Sequence, residues 1–287
     1  MSPARTSLAL LGLAGSLGLA AACAGTAGGD RFVFEARAGG AARDGAGPLT
    51  FTNDKGWETT LTQCNVTFGP VYLNAVAPLT GQQTWLGRWL LPFAHADGSS
   101  HLEGGRVVGE VLAQITVNAL SPSLDRLGAG VTTVEAVRTA EIGFYPPSGV
   151  PIDQAEIEQA ALDVRGSATR GGVTVRFRGA IVLDDAWLPD PKPDAPGAAS
   201  ILALRLVRGV PASFTPSRGG TLEVRVDPKA LFMGADFATL DPNPTDADGT
   251  KVLVQSKTGP RTTDQVTRSA FAALRTVDTW DVRWRTP

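Results

Sequence analysis

LDVRGSATRGGVTVRFR, residues 162–178, places a run of strictly alternating apolar and polar residues directly after a pair of glycines. Alternation with a period of two is typical of a strand that is buried on one face. Glycine accepts the positive φ angles that a tight hairpin turn requires. The stretch therefore predicts a β-hairpin in which Val173, Val175 and Phe177 point inward.

The same pattern returns elsewhere in the chain. RGGTLEVRV, residues 218–226, predicts a strand with Leu222, Val224 and Val226 inward. An Asn-Asp-Lys-Gly turn predicts a further hairpin, because these residues tolerate left-handed backbone angles. The segments assigned to that hairpin and to the remaining strands are 49–52, 57–72, 107–117, 131–144 and 280–284. The turns are not regularly spaced, so the pattern does not indicate a repeat protein.

Composition agrees with a chain of many short strands. The sequence holds 33 glycines and 20 prolines, and no long stretch has helical periodicity. Two short helices are predicted, one from Pro228 to Phe232 and one that starts at Thr263 or Asp264 and ends near Arg275. The fold class predicted is all-β: an antiparallel β-sandwich with one or two short accessory helices.

The first residues have the pattern of a secretory signal. Arg5 precedes an apolar and small run that closes on three alanines and Cys23. This layout resembles the lipobox of bacterial lipoproteins, in which the cysteine receives a diacylglyceryl group; acyl chains, palmitate among them, then hold the protein on a membrane. The family usually has leucine three residues before the cysteine, whereas Leu19 stands four before it. The alternative is ordinary cleavage that leaves Cys23 as a free or disulfide-bonded thiol.

These features predict the organisation of the chain. Residues 1–22 form a lipoprotein signal peptide, residues 23–47 a flexible tether with one short strand, and residues 48–287 the β-sandwich domain. We expect the protein in the bacterial cell envelope, on the periplasmic side or at the cell surface. The partners expected are the membrane, through the anchor on Cys23, and another envelope protein.

Charge excludes one class of partner. The net charge is −2 and basic residues are interspersed with acids, so nothing indicates binding to nucleic acid. Cys64 shares one strand face with Val66 and Phe68, which favours a buried structural thiol over a metal or redox role.

The candidate metal ligands lie together in one polar, glycine-rich segment. His95 and His101 are the only histidines of the chain, and Asp97 and Glu103 lie beside them. Imidazole and carboxylate groups are ligands for zinc and copper(II). The spacing matches no fixed metal motif, so a solvated loop is the alternative. The run 241–249 alternates oxygen ligands like a calcium loop, but it lacks the closing glutamate, and an ordinary turn is favoured.

The sequence contains little that indicates an enzyme. There is no nucleophile elbow, phosphate loop or dinucleotide fingerprint. Both histidines lie in one loop, which leaves a catalytic triad without a rigidly placed base. The adjacent carboxylates Asp184 and Asp185 would point to opposite faces of a strand. We therefore predict a protein that is not an enzyme, and rank a carboxylate hydrolase last.

Residues 51–73, with the Gly56-Trp57 turn, and residues 210–240, with Val226-Asp227-Pro228, resemble parts of the MbnP-like copper-binding proteins. The resemblance implies an exported β-sandwich that binds copper through histidine, sometimes with an oxidised tryptophan. Met233 is the only methionine after the signal segment, which excludes a thioether-rich copper(I) site. A copper(II) or zinc site remains the leading hypothesis, and a structural or protein-interaction module without metal is the alternative.

Overall fold

The structure of the protein is a computed structural model that describes residues 30–76, 106–145, 160–183, 205–255 and 264–287. Strands dominate these ranges. The strands are β1 (Phe32–Gly40), β2 (Leu49–Thr52), β3 (Glu58–Phe68), β4 (Val71–Asn74), β5 (Val107–Val111), β6 (Ile115–Asn118), β7 (Asp125–Thr132), β8 (Val137–Gly143), β9 (Leu162–Arg170), β10 (Val173–Ile181), β11 (Leu206–Phe214), β12 (Thr221–Val226), β13 (Lys251–Val252) and β14 (Trp280–Arg285).

Two sheets pack against each other, which confirms the all-β prediction. The large sheet has the order β11-β8-β4-β5-β7-β1-β12-β14, and the small sheet has the order β13-β10-β9-β3-β2 with β6 beside β3. Most strand pairs are antiparallel, as predicted, but the sheets are mixed, because β1 pairs with β12 and β10 pairs with β13 in parallel. Parallel neighbours need a long connection. The prediction was made from hairpin patterns, which involve strands that are close in sequence. These patterns contain no information on pairs of strands that are far apart in the chain.

The core lies between the sheets and contains most of the predicted inward residues. Leu222, Val224 and Val226 are fully buried, as predicted, and so are Cys64, Val66 and Phe68. Both tryptophans of β14 join aromatic clusters; Trp280 packs edge-on to Phe68 and Phe144, and Trp284 contacts Phe34 and Phe214. Burial of this apolar surface is the main force that holds the sheets together.

The predicted hairpin at 162–178 is present, with one correction. β9 and β10 pair without interruption around Gly171 and Gly172, whose φ angles are 59° and 81°. Phe177 is buried, but Val173 is 60% exposed and Val175 is only partly buried. Val173 directly follows the turn, so it lies at the tip of the hairpin, beyond the packed part of the core.

One short strand was predicted within the flexible tether of residues 23–47, and the structure corrects its length and its place: it spans nine residues and belongs to the domain. Residues 32–40 form β1, which lies inside the large sheet between β7 and β12. The two glycines that end this strand are a packing requirement: a Cβ atom on Gly39 would lie 2.1 Å from the Ser123 carbonyl oxygen, and one on Gly40 would lie 2.1 Å from the Ala119 carbonyl oxygen. Low hydrophobicity in this segment therefore reflects close contact with neighbouring backbone, not exposure to solvent.

Three predicted strands are each divided into two. The segment 57–72 forms β3 in the small sheet and the first residues of β4 in the large sheet. The segment 107–117 forms β5 in the large sheet and β6 in the small sheet, so the chain changes sheets at residues 112–114. The segment 131–144 holds the end of β7, a turn and then β8. Thr133 at this turn donates its backbone N–H to the Val108 carbonyl at 3.0 Å, which ties the turn to β5.

Both predicted helical regions are confirmed. Helix α1 spans Gln265–Leu274, and the side chain of Asp264 caps it by accepting the Thr267 N–H at 2.7 Å. The second region is a short 3₁₀ turn, Ala230–Phe232. Two more 3₁₀ turns are Phe237–Leu240 and Val277–Thr279. Among the described residues, no helix has the length and apolarity needed to cross a membrane.

Candidate functional site

The site residues predicted from the sequence lie outside the described residues. This applies to Cys23 and to His95, Asp97, His101 and Glu103. Within the described ranges, no group of three or more histidine, cysteine or acidic residues is placed to hold a metal ion.

The structure does fix where the histidine-containing segment begins and ends. Residues 77–105 connect β4 to β5, which are antiparallel neighbours in the large sheet. The Ala75 N–H donates to the Arg106 carbonyl at 3.0 Å and continues this pairing beyond the ends of both strands. The described residues that flank the segment, Ala75 and Arg106, therefore lie next to each other at the end of this strand pair.

Two other predictions from the sequence are settled by contacts. Burial raises the pKa of the Cys64 thiol to about 12, so this cysteine is protonated and packed in the core. In the run 241–249, Asp246 contacts Arg178 at 2.7 Å and accepts the Thr250 N–H at 2.9 Å. Asp248 contacts Arg165 at 3.2 Å. The carboxylates thus stabilise an ordinary turn, as predicted.

A group of polar residues lies on the outer face of the large sheet, away from the core. In the strand register, Tyr72 is opposite Glu110 on one side and opposite Glu141 on the other, and Asn74 is opposite Thr139. Their neighbours in sequence point into the core, so these side chains project outward. We call this group, together with Tyr145 and Arg208, the polar face. It is held by strands β4, β5, β8 and β11.

The polar face is buried although it is on the outside of the sheet. Glu141 is 2% exposed and Asn74 is 1% exposed. On the other half of the same outer face, Arg283 on β14 keeps 64% of its side-chain surface exposed and Arg285 keeps 62%. Arg283 pairs with Asp281, which is also exposed, as expected of a solvated surface, and Arg285 pairs with Glu223, whose side chain is 12% exposed. The polar face is therefore an enclosed region and not ordinary sheet surface.

Several buried polar atoms gather there without a partner. Among the described residues, the atoms of the polar face that are buried and make no hydrogen bond are Glu141 Oε1, Asn74 Nδ2, Thr139 Oγ1 and Arg208 Nε. Folded proteins pair nearly all buried polar groups, and each unpaired one costs about 1–3 kcal/mol, more for a charge. Such a concentration therefore marks a place where a bound ligand, ion or ordered water would pair these atoms.

The ionisable groups of the polar face are shifted by burial. Burial raises the pKa of Glu141, and the positive charge of Arg208 opposes that shift without cancelling it. The hydroxyl oxygens of Tyr72 and Tyr145 lie 3.2 Å apart and share a hydrogen bond. Burial also raises the pKa of both tyrosines, so both phenols are neutral at physiological pH.

A cavity of about 470 Å³ adjoins the polar face and shares Glu110 with it. Val108 and Val131 supply apolar lining, and Arg106 and Glu135, which form an ion pair, stand at its margin. Sequence analysis missed this region. Alternation can assign Tyr72 and Glu141 to the polar sides of their strands, but it cannot show that this side is buried.

The fold and the site define a class: a two-sheet β-sandwich protein with an enclosed polar region on the outer face of its large sheet. No family model matches the sequence, and no curated protein matches it. Among solved structures, the chain is similar to MbnP from Methylosinus trichosporium, at 11% sequence identity and a TM-score of 0.36. The similarity covers 88% of this chain and 98% of that one. It assigns no function to this chain or to any of its residues.

Proposed function

We propose that this protein is an exported lipoprotein of the bacterial cell envelope, and that its β-sandwich binds a ligand without transforming it. The signal-like residues 1–22 and the cysteine that follows them, Cys23, support export to the cell envelope. Strand β1 supports an anchor close to the domain, because Phe32 follows Cys23 by only nine residues. An extended link of that length reaches about 30 Å, so acyl chains on Cys23 would hold the domain next to the membrane.

The ligand we propose is a copper or zinc ion, bound by His95 and His101 with Asp97 and Glu103. The observation that carries this proposal is the attachment of residues 77–105: both ends join one pair of hydrogen-bonded strands beside a cavity that contains Glu110 and Glu135. Imidazole and carboxylate groups together suit zinc or copper(II). The alternative function is a structural or protein-interaction module of the envelope with no metal site.

Metal analysis tests the choice between these functions. The mature chain with Cys23→Ser is loaded with copper or zinc, passed over a desalting column and measured by elemental analysis. We expect stoichiometric metal in this protein and none in a His95→Ala/His101→Ala variant, because neutral imidazole is the main ligand. Cys64→Ala is the matched control, since Cys64 is buried in the core and should leave metal content unchanged. Metal absent from every variant would favour the interaction module.

The anchor is tested separately by mass spectrometry of the full-length protein expressed in a bacterium. We expect an amino terminus at Cys23 that carries a diacylglyceryl group and recovery in the membrane fraction. Cys23→Ala should leave the protein unlipidated. An unmodified Cys23 in the wild-type protein would contradict the anchor and leave the metal proposal untouched.

A further inference from the structure

We propose that the polar face is a binding site for a small ligand that carries an ammonium group together with a carboxylate or carbonyl oxygen. This is the chemistry of a free amino acid and of a peptide amino terminus. Glu141 would be the counter-ion of the ammonium. The site uses none of the four residues proposed to bind metal, so it extends the proposed ligand-binding function and does not depend on a metal.

The state of Glu141 is the first argument. Glu141 is 2% exposed, its Oε1 atom has no hydrogen-bond partner among the described residues, and Arg208 acts on it only as a nearby charge, without a salt bridge between the two. Burying a charge is costly unless it is paired. The Glu141 carboxylate therefore selects a ligand with a positive, hydrogen-bond-donating group.

The neighbouring donors are the second argument. Asn74 Nδ2 and Arg208 Nε are buried donors without an acceptor. A bare metal ion would leave both donors unpaired and would be repelled by Arg208. A simple anion would be repelled by Glu141. A ligand with an ammonium group and an acceptor oxygen satisfies Glu141 and the donors at the same time.

The spacing of these groups is the third argument. The Tyr72–Glu141 pair and the Asn74–Thr139 pair are two residues apart along β4 and β8. Two strand residues span about 6.6 Å, which one small molecule and its hydrogen bonds can bridge. The adjoining cavity of about 470 Å³, which shares Glu110, offers the space through which a ligand of this size would approach.

Binding is measured on the mature chain with Cys23→Ser by calorimetry and thermal shift. The probes are each common free L-amino acid, the dipeptide Ala-Ala and N-acetyl-alanine. We expect at least one amino acid or the dipeptide to bind and to raise Tm, and N-acetyl-alanine not to bind because it has no ammonium group. Preference for the dipeptide over every free amino acid would identify a peptide amino terminus as the source.

The key variant is Glu141→Gln, which keeps the shape of the side chain and removes its charge. We expect it to weaken binding about tenfold or more and to raise the Tm of the ligand-free protein. Glu35→Gln, on the exposed half of the outer face beside Arg37, is the matched control and should bind like the wild type. The His95→Ala/His101→Ala variant should also bind normally, which separates this site from the metal.

Three results would overturn the proposal. One is that no probe in the set binds the wild-type protein. Another is that Glu141→Gln binds as tightly as the wild type. The third is that N-acetyl-alanine binds as well as the parent amino acid, which would show that the ammonium group is not recognised.

Discussion

Replacing Glu141 by glutamine should change the pH dependence of stability in a direction unusual for a carboxyl group. Burial raises the pKa of Glu141 in the folded protein above its ordinary value of 4.5. The folded state then keeps its proton at pH values where the unfolded state has lost it, so stability falls as pH rises through this window. Arg208 is the charged group that acts on Glu141, Glu110 lies on the far side of Tyr72, and the nearby phenols of Tyr72 and Tyr145 are neutral.

The size of the effect follows from the unpaired carboxylate. An unsatisfied buried acceptor costs about 1–3 kcal/mol, and more when it is charged. Below pH 4.5 the wild type and Glu141→Gln should have similar free energies of unfolding, because Glu141 is protonated in both states. At higher pH the variant should become the more stable protein by about that amount, which corresponds to about 2–4 °C in Tm per kcal/mol for a domain of this size.

Urea titrations followed by tryptophan fluorescence, repeated from pH 4 to pH 8, measure this difference. Glu35→Gln serves as the control, and its difference from the wild type should not grow with pH in the same way. The reasoning is refuted if the wild type gains stability over Glu141→Gln as pH rises. That result would mean that Glu141 is stabilised as a carboxylate in the folded protein.

Three more predictions concern the fold that supports the site. Asn53→Ala should cost about 2–5 kcal/mol in urea titrations, because its side chain bonds four backbone groups. Asn53→Asp should cost at least as much at neutral pH, because it sets a buried carboxylate against the Phe232 and Ala235 carbonyl oxygens. Gly40→Ala should destabilise the domain by about 3 kcal/mol or more, because the new Cβ atom would overlap with neighbouring backbone atoms. Gly45→Ala is the comparison: its φ angle is 74°, but nothing lies within 4 Å of the added Cβ atom, so it should cost less in the same titration. The Trp57 indole N–H lowers the pKa of Asp236, so Asp236→Asn should remove stability that is present above pH 3.8 and lost on acidification, as measured by thermal melts against pH.

Local sequence patterns predicted the hairpins, the capped helix and most inward residues, because each of these depends on neighbours in the chain. The place of β1 inside the domain was not predicted, since alanine and glycine content measures hydrophobicity and not how closely the backbone of residues 119–123 approaches. The polar face could not be predicted for a related reason. It exists because β4 lies beside β8, some 65 residues further along the chain, and sequence alternation carries no information on that pairing.

The position of β1 also has a mechanical consequence. Its six register pairs with β12 run parallel, and its seven with β7 run antiparallel, so the strand is held along both sides. A pull on a lipid-anchored amino terminus would act along β1 and load these hydrogen bonds together in shear, instead of peeling them one at a time. A domain attached in this way would resist being dragged loose from its first strand when the envelope is under tension.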